Sequence, residues 1–197
     1  MNFLEDECTF SRLSKDVIDN AFPFDCGHDD LNDFFRNDSL NYEREFLGKS
    51  YCFLLDENPK EIVCIFTVSN DSIKVNFLPN ARKKKVTKQI PREKHFRSYP
   101  AVLVGRLGVN QKYKGKGIGR ELMDFIKSWF IDSNNKTGCR FVVVDAYNEQ
   151  SPTEYYKKTG FEFLFSTEEQ EKEYTGLIDE DELSTRLMYF DLIVLLT

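Results

Sequence analysis

Lys112-Tyr113-Lys114-Gly115-Lys116-Gly117-Ile118-Gly119-Arg120 interleaves three glycines with cations. Glycine, lacking a Cβ, lets successive N–H groups converge and leaves room for a ligand to approach. A helix starting here adds its unpaired amides and the positive end of its dipole. The segment can therefore hold a phosphate or pyrophosphate, assisted by Lys112, Lys114, Lys116 and Arg120. Two familiar phosphate loops fail on spacing. A GxGxxG run from Gly115 needs glycine where Arg120 stands, and no glycine pair with the Walker interval is followed by Lys and Ser or Thr. What remains is a phosphorylated cofactor that is not hydrolysed, or a tight strand-to-helix turn with no ligand.

The elements that position this run are legible around it. Residues 101–109 predict a strand, 110–116 a polar turn, and 117–130 a helix with Leu122, Phe125, Ile126 and Trp129 on one side. Residues 141–146 form an apolar run of strand length, 153–158 a short helix, 161–165 another strand and 186–195 a last one. Earlier, 29–46 carries Leu31, Phe34, Phe35, Tyr42 and Phe46 at helical spacing. Residues 51–56 and 61–69 read as a β-hairpin turned at Glu57-Asn58-Pro59-Lys60. Residues 71–99, interrupted by Pro79 and Pro91, read as loop with one short helix. The alternation favours an α/β domain, and 197 residues suit one domain rather than two.

Composition narrows the class. With 41% hydrophobic and 30% charged residues, 18 Phe and 9 Tyr, the chain should build an aromatic core. Five scattered cysteines show neither CxxC nor zinc spacing, so no metal site is expected and reduced thiols fit. The N-terminal residues lack a signal-peptide pattern and no apolar run is long enough to span a bilayer, which predicts a cytoplasmic protein without membrane contact. A net charge of −6 disfavours general nucleic-acid attraction, although residues 82–97 hold eight Lys or Arg against Glu93 alone. Residues 168–182 hold eight acids against Lys172 alone. Each run reads as solvated surface, with an anion-facing role as the alternative for the basic one.

Arg106-Leu107-Gly108-Val109 followed by the 112–120 run resembles the acyl-CoA-binding motif of GNAT N-acetyltransferases, in which Gln or Arg is followed after two residues by Gly and then by Gly or Ala. Gly115 and Gly117 match, and Lys112 departs from the first position while keeping its charge. Downstream, Asn148 followed by Tyr156-Lys157-Lys158-Thr159-Gly160-Phe161 resembles the second signature of the family, with one extra residue between Asn148 and Tyr156. The resemblance implies a single-domain fold of α/β (α+β) class with a mixed, mostly antiparallel central sheet flanked by helices. It implies acetyl-CoA as co-substrate, with Leu107, Gly108 and Val109 pairing with the pantetheine arm and thioester carbonyl. The amides from Lys114 through Gly115, Lys116, Gly117, Ile118 and Gly119 to Arg120 would hold the pyrophosphate, and Asn148 would lie at the cofactor.

Acyl transfer from a thioester needs a neutral amine, a donor for the oxyanion and a proton for the leaving thiolate. Tyr156, with an ordinary phenol pKa of about 10 against about 8.5 for a thiol, can supply that proton; alternatively it packs beneath the last strand. The Val109 N–H is the economical oxyanion donor, and Gly108 allows the strand to splay or simply marks a bulge. His28 and His95 lie in neither signature, and Asp145 or Glu149 could relay a proton through water. An α-amine, with a pKa near 7.7, asks less of a base than a lysine amine near 10.4.

Residues 22–35, running Phe-Pro-Phe-Asp-Cys-Gly-His-Asp-Asp-Leu-Asn-Asp-Phe-Phe, together with Pro100 to Val109, resemble the GNAT branch that includes toxins acetylating the α-amine of aminoacyl-tRNA. That resemblance implies charged tRNA as an acceptor and an antitoxin as a partner; the residues leave monomer and homodimer both open. The competing expectation is a non-catalytic CoA-binding or protein-interaction module on the same fold.

Overall fold

Runs of buried residues mark the central strands and a 3.6-residue period the principal helix in a computed structural model that describes residues 2–91, 96–135, 137–179 and 182–196. In chain order, α1 is Phe3–Asp6, β1 Cys8–Arg12, α2 Lys15–Asn20, α3 Asp29–Asp33, α4 Ser39–Arg44, β2 Lys49–Leu55 and β3 Asn58–Ile73. There follow α5 Asn80–Val86, β4 Tyr99–Val109, α6 Ile118–Ile131, β5 Phe141–Tyr147, α7 Gln150–Lys158, β6 Glu162–Phe163, α8 Glu168–Thr175 and β7 Thr185–Asp191. The hydrogen-bonded strand order is β1-β2-β3-β4-β5-β7-β6, with antiparallel pairing in β1/β2, β2/β3, β5/β7 and β6/β7. This is the mixed, largely antiparallel α/β architecture expected from the sequence.

The chain divides into two compact units, Met1–Ser69 with Val104–Ser128 and Asn70–Leu103 with Trp129–Thr197. In the first, Phe10 on β1 meets Tyr51, Phe53, Phe66 and the Phe125 ring of α6 at centroid distances of 4.8–6.2 Å. Helix α6 buries Ile118, Leu122, Met123 and Ile126, a helical stripe worth about 1.5–3 kcal/mol per side chain. In the second unit, Val75, Val86, Tyr99, Phe141, Val143, Leu164, Phe165 and Tyr189 form one buried cluster.

Several boundaries differ from the sequence reading. The 29–46 helix is interrupted by a π-helical turn over Phe34–Asp38 and ends at Arg44. Phe46 is not a core residue. It turns into the left-handed region at φ 58° and lies 95% exposed, because Phe46 N–H and Leu47 N–H fold back onto the Glu43 and Tyr42 carbonyls to close the helix. The hairpin turns one step earlier, at Asp56-Glu57, so β3 already starts at Asn58, and irregular register beside Leu54 absorbs the difference. Two strands are shorter than expected. β6 keeps only two paired residues, and β7 ends at Asp191, whose carboxylate accepts from Ile193 N–H and diverts Leu192–Leu195 into a 3-10 turn. Helix α7 starts at Gln150, three residues before the predicted start at Thr153.

The charged runs separate into used and solvated members. Arg82 donates to the carbonyls of Phe163 and Leu164, and Lys85 pairs with Glu162 at 2.7 Å, whereas Lys83, Lys84 and Lys88 are exposed. Residues 92–95, including Glu93 and His95, lie outside the described residues. The acidic run is a capped helix. Thr167 accepts from Gln170 N–H, Glu168, Glu169 and Glu171 occupy the first turn where the helix dipole favours them, and Gly176 closes α8 at φ 77°.

Candidate active site

In the first unit the end of β4 leads directly into the glycine run. Asn110 anchors the junction: its N–H donates to the Val63 carbonyl, its amide to the Ile62 carbonyl, and its side-chain oxygen accepts from Lys112 N–H. Gln111, next in line, is clamped by Asp25, which accepts from Gln111 Nε2 at 2.6 Å, Asn32 Nδ2 at 2.9 Å and Gly27 N–H at 2.7 Å. These bonds, the Gly27 N–H foremost, hold the Asp25 carboxyl below its usual range. Sequence reasoning missed this clamp, for which the Asp-x-Gly turn at 25–27 is the local signal that could have found it.

Gly115 and Gly117 sit at φ 75° and 86°, and a Cβ on either would meet no atom within 4 Å. Glycine is therefore demanded by the left-handed backbone, not by crowding. Lys114 N–H is already bonded to Gln111, and Arg120 N–H to Gly117. Among the described residues the amides of Gly115, Lys116, Gly117 and Ile118 have no internal acceptor, so the free donors span four residues rather than the seven expected. Four consecutive donors at the start of a 14-residue helix fit a diphosphate.

The cations around this loop differ in availability. Lys112 donates to Glu61 at 3.0 Å, as does the Tyr113 hydroxyl, and desolvation, with Glu61 adding to it, pushes the Tyr113 phenol up to about 12. The irregular first position of the motif is thus an ion pair with β3. Lys116 lies over the Tyr113 ring, Lys114 reaches the neighbourhood of Gly27, and Arg120 stands 4.0 Å from Asp124 with its side chain 78% exposed.

Gly108 has a packing reason. It is buried, and a Cβ there would stand 3.1 Å from Cys26 Cβ, 3.2 Å from Cys26 Sγ and 3.3 Å from Phe24. Leu107 and Val109 are half-buried on either side of it.

The second unit carries Tyr156 and Asn148. Tyr156 is half-buried on α7, with its ring against Tyr155 at 4.9 Å and Phe161 at 5.5 Å. Burial, then the Asp145 carboxylate and the Tyr147 phenol, raise its pKa, so it stays protonated far above neutrality. Asp145 is exposed on β5, yet lost hydration and the nearby Asp71 carboxylate push its carboxyl up. Asp71 is a residue that sequence reasoning missed; its distance of 74 positions from Asp145 left no pattern to find. Asn148 spends both amide hydrogens on Glu168, at 3.0 Å, and on the Leu183 carbonyl, at 2.9 Å. Its side chain thus ties α8 to the segment before β7. Two units accordingly share the predicted site residues: 107–120 in the first, Asn148 and Tyr156 in the second.

Known proteins add an independent line. A model of the acetyltransferase (GNAT) domain matches residues 49–163 of the 197. A tyrosine-to-phenylalanine mutant of KacT superposes with a TM-score of 0.70 at 17% identity, covering 96% of this chain and 97% of its own. AtaT in complex with acetyl-methionyl-tRNAfMet gives 0.65 at 19%, covering 97% and 100%, and AtaTR bound with AcCoA gives 0.64 at 18%, covering 98% and 99%. At these identities the structures establish a shared fold, and the family model, which spans more than half of the chain, establishes more. The protein belongs to the GNAT family of acetyl-CoA-dependent N-acetyltransferases.

Proposed function

We propose that the protein transfers the acetyl group of acetyl-CoA to the α-amine of an aminoacyl-tRNA by direct attack. The observation that carries the chemistry is Tyr156, a half-buried phenol held protonated beside Asp145 on the α7 helix that follows β5. Acetyl-CoA supplies the activated thioester, and the chain supplies everything else. The amides of Gly115, Lys116, Gly117 and Ile118 receive the pyrophosphate, with Lys114, Lys116, Gly119 and Arg120 around them. Leu107 and Gly108 pair along the pantetheine arm, and the Val109 N–H donates to the oxyanion as the new C–N bond forms. As the C–S bond breaks, Tyr156 gives its proton to the departing sulfur. The ammonium proton passes through water to Asp145, whose raised affinity for protons suits it better than an ordinary carboxylate, and Asp145 then returns that proton through water to Tyr156, which restores both groups. Asn148 acts by ordering α8 rather than by touching the cofactor.

Similarity to AtaT, solved with acetyl-methionyl-tRNAfMet, supports the acceptor, as does the resemblance of residues 22–35 and 100–109 to that branch. AtaT has also been solved with the C-terminus of its antitoxin AtaR, and KacT in a KacTA–DNA complex, which supports an antitoxin partner for this chain. The test is incubation of purified protein with acetyl-CoA and a pool of charged tRNAs, followed by mass analysis of the released aminoacyl groups. Acetylated α-amines are expected; acetylation of only free polyamines or peptide lysines would displace this acceptor.

A further inference from the structure

Arg106 on β4 is half-buried, and its guanidinium carbon stands 3.6 Å from the centre of the Phe34 ring and 5.1 Å from that of Tyr42. Phe34 is itself held edge-on by Phe35 at 5.7 Å and by Tyr42 at 5.5 Å, so the platform is fixed. It also opens the π-helical turn Phe34–Asp38, a distortion that recurs at functional sites.

Among the described residues the other arginines that are not exposed all have acceptors. Arg82 donates to two backbone carbonyls, Arg140 pairs with Asp191, and Arg186 pairs with Glu171 and Glu168. Among the described residues Arg106 has neither carboxylate nor carbonyl. Withdrawing a charge from water without a counter-charge is unfavourable, and stacking on aromatic faces compensates only in part. Stacking also leaves the in-plane fork of N–H donors pointing away from the ring, the geometry that matches a phosphate bidentately. The diphosphate of the donor already has the four amides of residues 115–118, while Arg106 lies three residues before Val109 on the strand assigned to the thioester carbonyl.

We infer that Arg106, stacked on Phe34 and Tyr42, is a binding site for a backbone phosphate of a nucleic-acid acceptor close to its 3′ end. The inference rests on the aminoacyl-tRNA reading above and names the residue that recognises that class of substrate. It also explains how a chain of net charge −6 binds a polyanion: through a placed cation rather than a broad field.

The probe is a short single-stranded oligonucleotide ending in CCA-3′, without an aminoacyl group, titrated by fluorescence anisotropy. Arg106→Gln is expected to weaken binding at least tenfold and to make its salt dependence shallower by about one counterion. Arg106→Lys, which keeps the charge and loses the fork, should fall between; Phe34→Leu should weaken binding with the arginine still present. Acetyl-CoA affinity, measured in parallel, should not move in either Arg106 variant and also reports that they are folded. Equal oligonucleotide binding by wild type and Arg106→Gln, no binding by wild type, or a loss confined to acetyl-CoA would each overturn the inference. Failure of the acceptor reading shows separately, as wild-type protein that leaves charged tRNA unacetylated.

Discussion

The glycine run of the first unit and the α7–β5 region of the second handle charge in opposite ways. Residues 112–120 keep their cations at the surface and leave four backbone donors open at the head of α6, where the proposed donor would bring the countercharge. Around Tyr156 the ionisable groups are partly withdrawn from water: burial raises Tyr156, and lost hydration raises Asp145. An entry point for a highly charged molecule benefits from hydrated, adjustable groups, whereas a proton donor has to be kept in one protonation state. The same second unit extends this logic to structure, burying Glu171 at 2% exposure against Arg186 at 8%.

The comparison breaks most visibly at Tyr156. Tyr156→Phe should lower turnover by about 10²–10⁴-fold while acetyl-CoA affinity is retained, measured by steady-state kinetics and calorimetry. Next is the buried pair. Glu171 accepts from Arg186 Nε at 2.8 Å and from Leu187 N–H, yet desolvation still pushes its carboxyl up. Glu171→Ala leaves Arg186 buried with only Glu168 nearby at 3.6 Å and should cost about 3–5 kcal/mol of unfolding free energy in a urea titration. The first unit should respond in the opposite sense, losing donor affinity rather than stability or proton transfer. Gly117→Ala forces a side chain into φ 86° at a cost of about 1–2 kcal/mol, which should raise the acetyl-CoA dissociation constant by roughly 5–30-fold if the loop relaxes away from its present conformation.

The smallest effect sharpens the contrast through pH. The Asp25 carboxyl titrates below its unfolded value, so its clamp on Gln111 is fully in place above the ordinary Asp range and is lost as pH falls through the depressed folded value. Amide exchange at Gln111 to Lys114 should accelerate in that acidic window, and Asp25→Asn should remove the acid transition.

Much of this was legible along the chain. The strand, glycine turn and helix of 101–130 appeared with nearly their final boundaries, because the apolar strand run, the glycines and the apolar stripe of α6 are all local signals. The left-handed positions Gly115 and Gly117 were readable for the same reason, as was the aromatic character of the core. What misled was helical periodicity at 29–46, which cannot register a π turn and so placed Phe46 on the core face. Weak patterns hid β1, because only Cys8 in Cys8–Arg12 is buried, and α8, because its burial reduces to Glu171.

The sequence by itself determined the family and singled out the proposed donor loop and candidate acid, since those depend on residue types a few positions apart. Only the tertiary structure decided which charges are spent: Lys112 on Glu61, Asn148 on Glu168 and Leu183, Arg186 on Glu171, and Arg106 on aromatic rings among the described residues. Those partners lie 15 to 72 positions apart in the chain, with Arg106 and Phe34 the most distant pair. The free energy that selects them comes from burial and close packing, which no linear spacing encodes.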